Sequence, residues 1–204
     1  EELRAAFTHE LAASDPGVTV TLSHENQTGV QAMTKASTEG IVLYLSLSPS
    51  GIQAMSQEIP GLVQSSLNLG ILQTEDSQVT AAYCVRSSVD SQKQMMLDRL
   101  ACLAGQIGGT LHCSGDYPAW EFRKDSALRE VMEAVFVEQY GHAPKVSAIH
   151  AGLECGLLSG KIADLDCVSV GPDLEKVHTA QERMSISSVQ RVWKFLVSVV
   201  ERCK

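Results

Sequence analysis

Apolar positions along the 204-residue chain change period several times, and each change marks an element. Residues 1–13 have helical spacing, and the turn Asp15-Pro16-Gly17 closes that helix before the alternating residues 18–23. The stretch STEGIVLYLSL, beginning at Ser37, fits either an alternating strand or a helix capped by Ser37 and stopped before Pro49, and the helix is favoured. Strands are predicted near residues 61–72 and 78–86, joined by the polar turn TEDS as an antiparallel pair. After Ser88, Met96, Leu100, Leu103 and Ile107 share one helical face, and Gly108-Gly109 ends that helix. TLHCSG, from Thr110, is expected to return as a further strand, giving a mixed sheet under helices.

Beyond GDYPAW the rhythm shifts. A helix is predicted at residues 126–140, then a strand at KVSAIH, a short helix after Gly152, a strand at LDCVSV and a long final helix from Ser187. Alternation of this kind implies an α/β layer with largely parallel strands, so a domain boundary is expected between Ser114 and Asp125. The fold class is α/β, and no repeat or low-complexity segment interrupts it.

Composition narrows the function classes. The chain is 44% hydrophobic, enough for one large core or two modest ones. Sixteen basic against 24 acidic residues give a net charge of −8 with no basic cluster, which argues against a nucleic-acid partner. No run approaches the roughly 20 apolar residues of a membrane span. The six cysteines, at 84, 102, 113, 155, 167 and 203, have no C-x-x-C spacing, and the pattern suits reduced, packed thiols in a cytosolic protein. The first residue is Glu1, in a helix with no leading turn or cap, as expected of a piece of a longer chain.

Three stretches carry candidate chemistry. His178 lies in a loop beyond the strand DCVSVGP, and α/β sheets collect ligands at the carboxyl ends of their strands. A lone loop histidine is more often solvated or locally bonded than a metal ligand, and Thr179 with Glu182 has the capping-box spacing that would fix the loop's exit into a helical turn. IHAGLECGL, from Ile149, places two glycines around Leu153, Glu154 and Cys155, implying close backbone approach by another segment or by a ligand. His150 and Glu154 are four apart but straddle Gly152, so a shared metal-binding face is not assured. Arg86 ends the strand YCVRSS; such an arginine usually pairs with an acid or points to solvent, yet its planar fork also suits a free carboxylate. H-E-x-x-H, G-x-S-x-G and a phosphate-binding glycine loop are all missing, and a zinc hydrolase needs at least three protein ligands.

SSLNLG, VRSSVDS, GDYP with Trp120, HAGLECGL and VGP followed by His178 occur in an order and spacing that resembles the aminoacyl-histidine dipeptidases, also called Xaa-His dipeptidases or peptidase D. The similarity runs from about Gly51 to the end, more faintly before it, and matches the C-terminal part of that family. The resemblance implies a cytoplasmic metallopeptidase with two zinc ions, in which a smaller lid domain is inserted into a catalytic α/β domain. Residues 1–114 then correspond to the latter half of the lid, or dimerisation, domain, and 115–204 to the C-terminal segment of the catalytic domain.

By the same resemblance His178 is the last metal ligand, Arg86 holds the substrate carboxylate and the Gly152 backbone borders the substrate, with Glu154 supporting the site rather than acting as a base. The general base and remaining ligands belong to the other half, so the fragment alone is expected to be inactive. One departure stands out: relatives commonly follow the metal histidine with proline and an acidic pair, whereas this chain reads His178-Thr179-Ala180-Gln181-Glu182, losing a rigid φ and one negative charge. The competing expectation is a non-catalytic binding module that self-associates through the strand layer of residues 61–114.

Overall fold

The computed structural model describes every residue except 25–28, 30, 151 and 204, and the chain divides into two compact units, Glu1–Glu39 and Gly40–Lys204. The boundary expected at Ser114 to Asp125 therefore falls inside the second unit. In the first unit α1 (Glu2–Glu10) buries none of its residues. The Arg4 Nε donates to the Val20 carbonyl at 2.9 Å, fixing the extended segment that follows the turn. Helix α2 (Lys35–Leu47) is a helix, as favoured, but Thr34 caps it: its Oγ1 accepts from the Ser37 N–H at 3.1 Å.

The second unit is built on an antiparallel sheet of β1 (Gly51–Met55), β2 (Val63–Thr74) and β3 (Val79–Ser87), in that order. β2 and β3 are the predicted pair, with register from Ser65 opposite Ser87 to Thr74 opposite Val79 and one irregularity between Leu69 and Ile71. β1 was not foreseen. Helix α3 (Asp90–Gln106) covers one face, packing Met96 and Leu100, 0% and 1% exposed, against Leu67, Tyr83 and Val85. Leu103 and Ile107, expected on that face, are half-buried and exposed, and Ala104 is buried instead. The Ser65 hydroxyl, also buried, bonds to Ser87 at 2.8 Å and to the Gln92 side chain, tying both strands to the first turns of α3. Tyr44 of α2 meets Tyr83 edge-to-face, and burial with that neighbour pushes its phenol up to about 12.

The later part is a helix pair. Helix α4 (Ala127–Tyr140) and α6 (Ile186–Arg202) pack Met132, Val135, Phe195 and Val199 together, and Arg202 closes the pair with a two-pronged contact to Glu138 at 2.6 and 2.7 Å. Ser126 caps α4, and Asp166 reinforces the cap: it accepts from the Ser126 hydroxyl at 2.6 Å and the Leu128 N–H at 2.9 Å. At the other end Gly141 takes φ 75° as the left-handed stop. The outer stripe of α6, Ile186, Val189, Trp193, Val197 and Val200, is bare, with Trp193 68% exposed. Its 3-4-4-3 spacing is that of a buried helix face.

Three predicted strands are corrected: TLHCSG, KVSAIH and LDCVSV form no ladder among the described residues. The largely parallel layer is likewise missing there, and the second ladder is the two-residue antiparallel pair β4 (Leu174–Glu175) and β5 (Arg183–Met184). An alternating segment becomes a strand only when a neighbour takes its backbone bonds. These three segments have apolar side chains to bury, and Val168 does pack on the α4–α6 core, but no adjacent strand meets their N–H and C=O groups.

Two stability tests follow. Leu100→Ala should cost about 2–5 kcal/mol in denaturant unfolding, against under about 0.5 kcal/mol for exposed Ile71→Ala. The bonds to Ser126 and Leu128 hold the Asp166 carboxyl below its ordinary value. Its contribution is therefore present above the unfolded value, near pH 4, and lost as pH falls through the lower folded one. Acid titration should destabilise the wild type more steeply below about pH 4 than Asp166→Asn.

Candidate functional site

A broad cleft of about 1850 Å³ lies in the second unit, with Arg86, His150, Gly152, Leu153 and Tyr117 among its lining. That exceeds the roughly 300–1,000 Å³ of a small-ligand pocket, so a dipeptide would occupy only a corner of it. One corner is well defined. Ser66 and Arg86 are cross-strand partners on β2 and β3, on the face away from α3 because side chains alternate along a strand. Both reach residue 150: the Ser66 hydroxyl is 2.6 Å from the His150 Nε2, and the Arg86 Nη1 donates to the His150 carbonyl at 3.3 Å. Burial first, then the Arg86 charge, holds the His150 imidazole below its ordinary value.

The glycines of the next segment are packing devices. A Cβ on Gly152 would come within 3.0 Å of the Tyr117 ring, one on Gly156 within 3.2 Å of the Pro118 carbonyl oxygen, and one on Gly160 within 3.0 Å of the Pro118 ring. Close approach, inferred from the glycine pair, is thus made by residues 117–120. α5 (Glu154–Ser159) is the expected short helix, and its glycine edge lies on the Tyr117–Trp120 segment. Lys93 holds the start of that segment from α3, bonding Asp116 at 2.9 Å and the Tyr117 carbonyl at 3.0 Å.

Arg86 and Gly152 both line the cleft; His178 is not among the residues that line it. It sits in the loop between β4 and β5, exposed, with φ 63°. Lys176 is also left-handed, at φ 52°. Left-handed residues other than glycine carry a modest strain, and local bonds hold this one. The His178 N–H donates to Glu182 at 2.9 Å, Thr179 donates to the Lys176 carbonyl at 2.7 Å, and an Arg183–Glu175 ion pair closes the base. The capping box is corrected in detail: Thr179 and Glu182 do bond locally, but Thr179 accepts from Gln181 and Glu182 from His178, making a tight loop rather than a helical turn. The loop is anchored to α6, where the Asp173 N–H bonds the buried Ser188 hydroxyl at 2.9 Å.

Zinc requires three or more protein donors. Among the described residues no three His, Cys, Asp or Glu side chains converge, so these residues do not by themselves fit the ion. Nor, among the described residues, is any helix long and apolar enough to cross a membrane. Sequence reasoning did not single out Ser66, although it lies in the SSLNLG motif; its place beside Arg86 in the strand register is what marks it.

No protein-family model matches the chain. Among curated proteins it is similar to the cytosol non-specific dipeptidase of Escherichia coli, 29% identical over 170 residues, which is 83% of this chain and 35% of that protein. Among solved structures it is similar to the aminoacylhistidine dipeptidase of Vibrio alginolyticus, with TM-score 0.83 and 32% identity over 98% of this chain and 42% of that one. The aminopeptidase PepT of Bacillus cereus, 15% identical with TM-score 0.60 over 80% of this chain and 44% of that one, shares the fold. The chain thus spans between about a third and just under half of the length of these proteins.

Two outcomes are expected of this site. The His150 imidazole should titrate below about 6.5 by proton NMR, and Arg86→Ala should move it upward, because removing a nearby positive charge favours the protonated ring. Gly156→Ala should lower the melting temperature more than Gly152→Ala, since it sets a methyl against a backbone oxygen rather than a ring that can swing aside.

Proposed function

We propose that this chain, a homologue of part of the aminoacylhistidine and cytosol non-specific dipeptidases, supplies the carboxylate-binding corner and one metal ligand of a cytoplasmic dipeptidase. The single observation that carries the reading is that Arg86, bonded to the His150 carbonyl, and Gly152 line the same cleft. One donor of the Arg86 fork is spent on the His150 carbonyl, which fixes its direction; the others, with no bond among the described residues, would grip the terminal carboxylate of an Xaa-His dipeptide. The Gly152 backbone then borders the substrate.

His178 contributes one imidazole to a pair of zinc ions whose other ligands, with the general base, lie outside these 204 residues. Its exposed ring on a tightly bonded loop suits a ligand offered to another part of the protein. On this reading residues 1–114 form the latter half of a lid domain, 115–204 the C-terminal segment of the catalytic domain, and the bare α6 stripe is the face on which the rest of that domain is seated. A second reading, self-association of the lid portion into a homodimer, is favoured by β3, a nine-residue strand at the edge of its sheet.

The isolated chain should leave Xaa-His dipeptides uncleaved in a ninhydrin or mass-spectrometric assay; hydrolysis at an enzyme-like rate would overturn the proposal. In the zinc-loaded complete polypeptide carrying these residues, Arg86→Ala should raise KM about 10- to 100-fold, as expected for losing a charge-assisted bond. His178→Ala should remove activity and lower the bound zinc. Light scattering of the chain decides the second reading, which a monomeric mass would rule out.

A further inference from the structure

Four of the six cysteines, Cys84, Cys102, Cys113 and Cys203, are exposed. The other two are half-buried and adjacent. Cys155 stands in the first turn of α5, and Cys167 in the extended segment that follows it by 12 residues in number. A small knot joins them: the Ser159 hydroxyl donates to the Cys155 carbonyl at 2.6 Å, while the Cys167 Sγ lies 3.4 Å from that hydroxyl and 3.9 Å from the same carbonyl oxygen.

We propose that Cys155 and Cys167 form a disulfide under oxidising conditions, a covalent staple between α5 and residues 165–170. A disulfide needs Cα atoms roughly 4.4–6.8 Å apart, and the Cys167 Sγ, 3.9 Å from the carbonyl oxygen of Cys155 itself, brings the two residues into that range. Residues 165–170 belong to no ladder among the described residues, so a small shift there breaks no strand pairing. The staple would act on the cleft, because Cys167 lines it together with Gly152 and Leu153, which lead directly into α5.

The chemistry requires a co-reactant, a low-molecular-weight disulfide such as oxidised glutathione. One cysteine loses its proton and attacks a sulfur of that disulfide, forming a mixed disulfide and expelling a thiolate that takes up the proton. The second cysteine, likewise deprotonated, attacks the protein-bound sulfur and releases the other small thiol. Two protein thiols are oxidised and one small disulfide is reduced to two thiols. Burial, with Cys167 and Glu154 adding to it, pushes the Cys155 thiol up, so thiolate is scarce at neutral pH and closure is slow.

The test incubates the reduced 204-residue chain with excess oxidised glutathione, then blocks free thiols and maps peptides without reduction. The expected result is a cross-linked Cys155–Cys167 peptide, reversed by dithiothreitol, with slowed amide exchange at residues 152–160. The link should survive replacement of the four exposed cysteines by serine and vanish in Cys155→Ser and in Cys167→Ser. Persistent glutathione adducts on both residues, a pair left reduced while exposed thiols react, or a link that leaves exchange at 152–160 unchanged would overturn the proposal.

Discussion

The hold of two strands on one residue sets the form of the cleft. Ser66 and Arg86 are opposite each other in the β2–β3 ladder, and both grasp residue 150, one through its ring and the other through its carbonyl. Neither bond would be worth much alone in an exposed setting. Together they fasten a segment that has no strand partner among the described residues to the face of a sheet whose other side is stiffened by Met96 and Leu100 of α3. Gly152 is seated against the Tyr117 ring, and α5 against the Pro118 surface beneath Gly156.

Much of the local structure was legible in the sequence because its causes are local. Ser126 and Gly141 bound α4 as cap and stop, the apolar spacing around Met96 and Leu100 marks α3, and the polar turn between β2 and β3 gives their pairing. Where causes are distant, reading failed. TLHCSG, KVSAIH and LDCVSV alternate as strands do, but alternation reports a face to be buried and says nothing of a neighbour to bond. β1 was overlooked because GIQAM is short and barely alternates, and the Thr34 cap because Ser37, inside the first turn, is an equally good capping residue.

The candidate site divides along the same line. Motif resemblance picked out Arg86 and Gly152, and the fold puts them on one cleft. It also picked out His178, whose loop geometry depends on bonds from Glu182 and Thr179 that spacing only half foretold. Ser66 lies in the SSLNLG motif, but a serine there says little by itself; its importance comes from the register that sets it beside Arg86. The similarity to the aminoacylhistidine dipeptidase covers nearly all of this chain but only 42% of that solved enzyme.

The bare stripe of α6 has a practical corollary. The chain contains two tryptophans, and Trp193 stands in the middle of that stripe while Trp120 is half-buried beside α5. An indole in water emits at longer wavelength than one enclosed by aliphatic groups. The helix therefore carries a built-in optical label, one whose colour changes when something settles over Val189 and Val197.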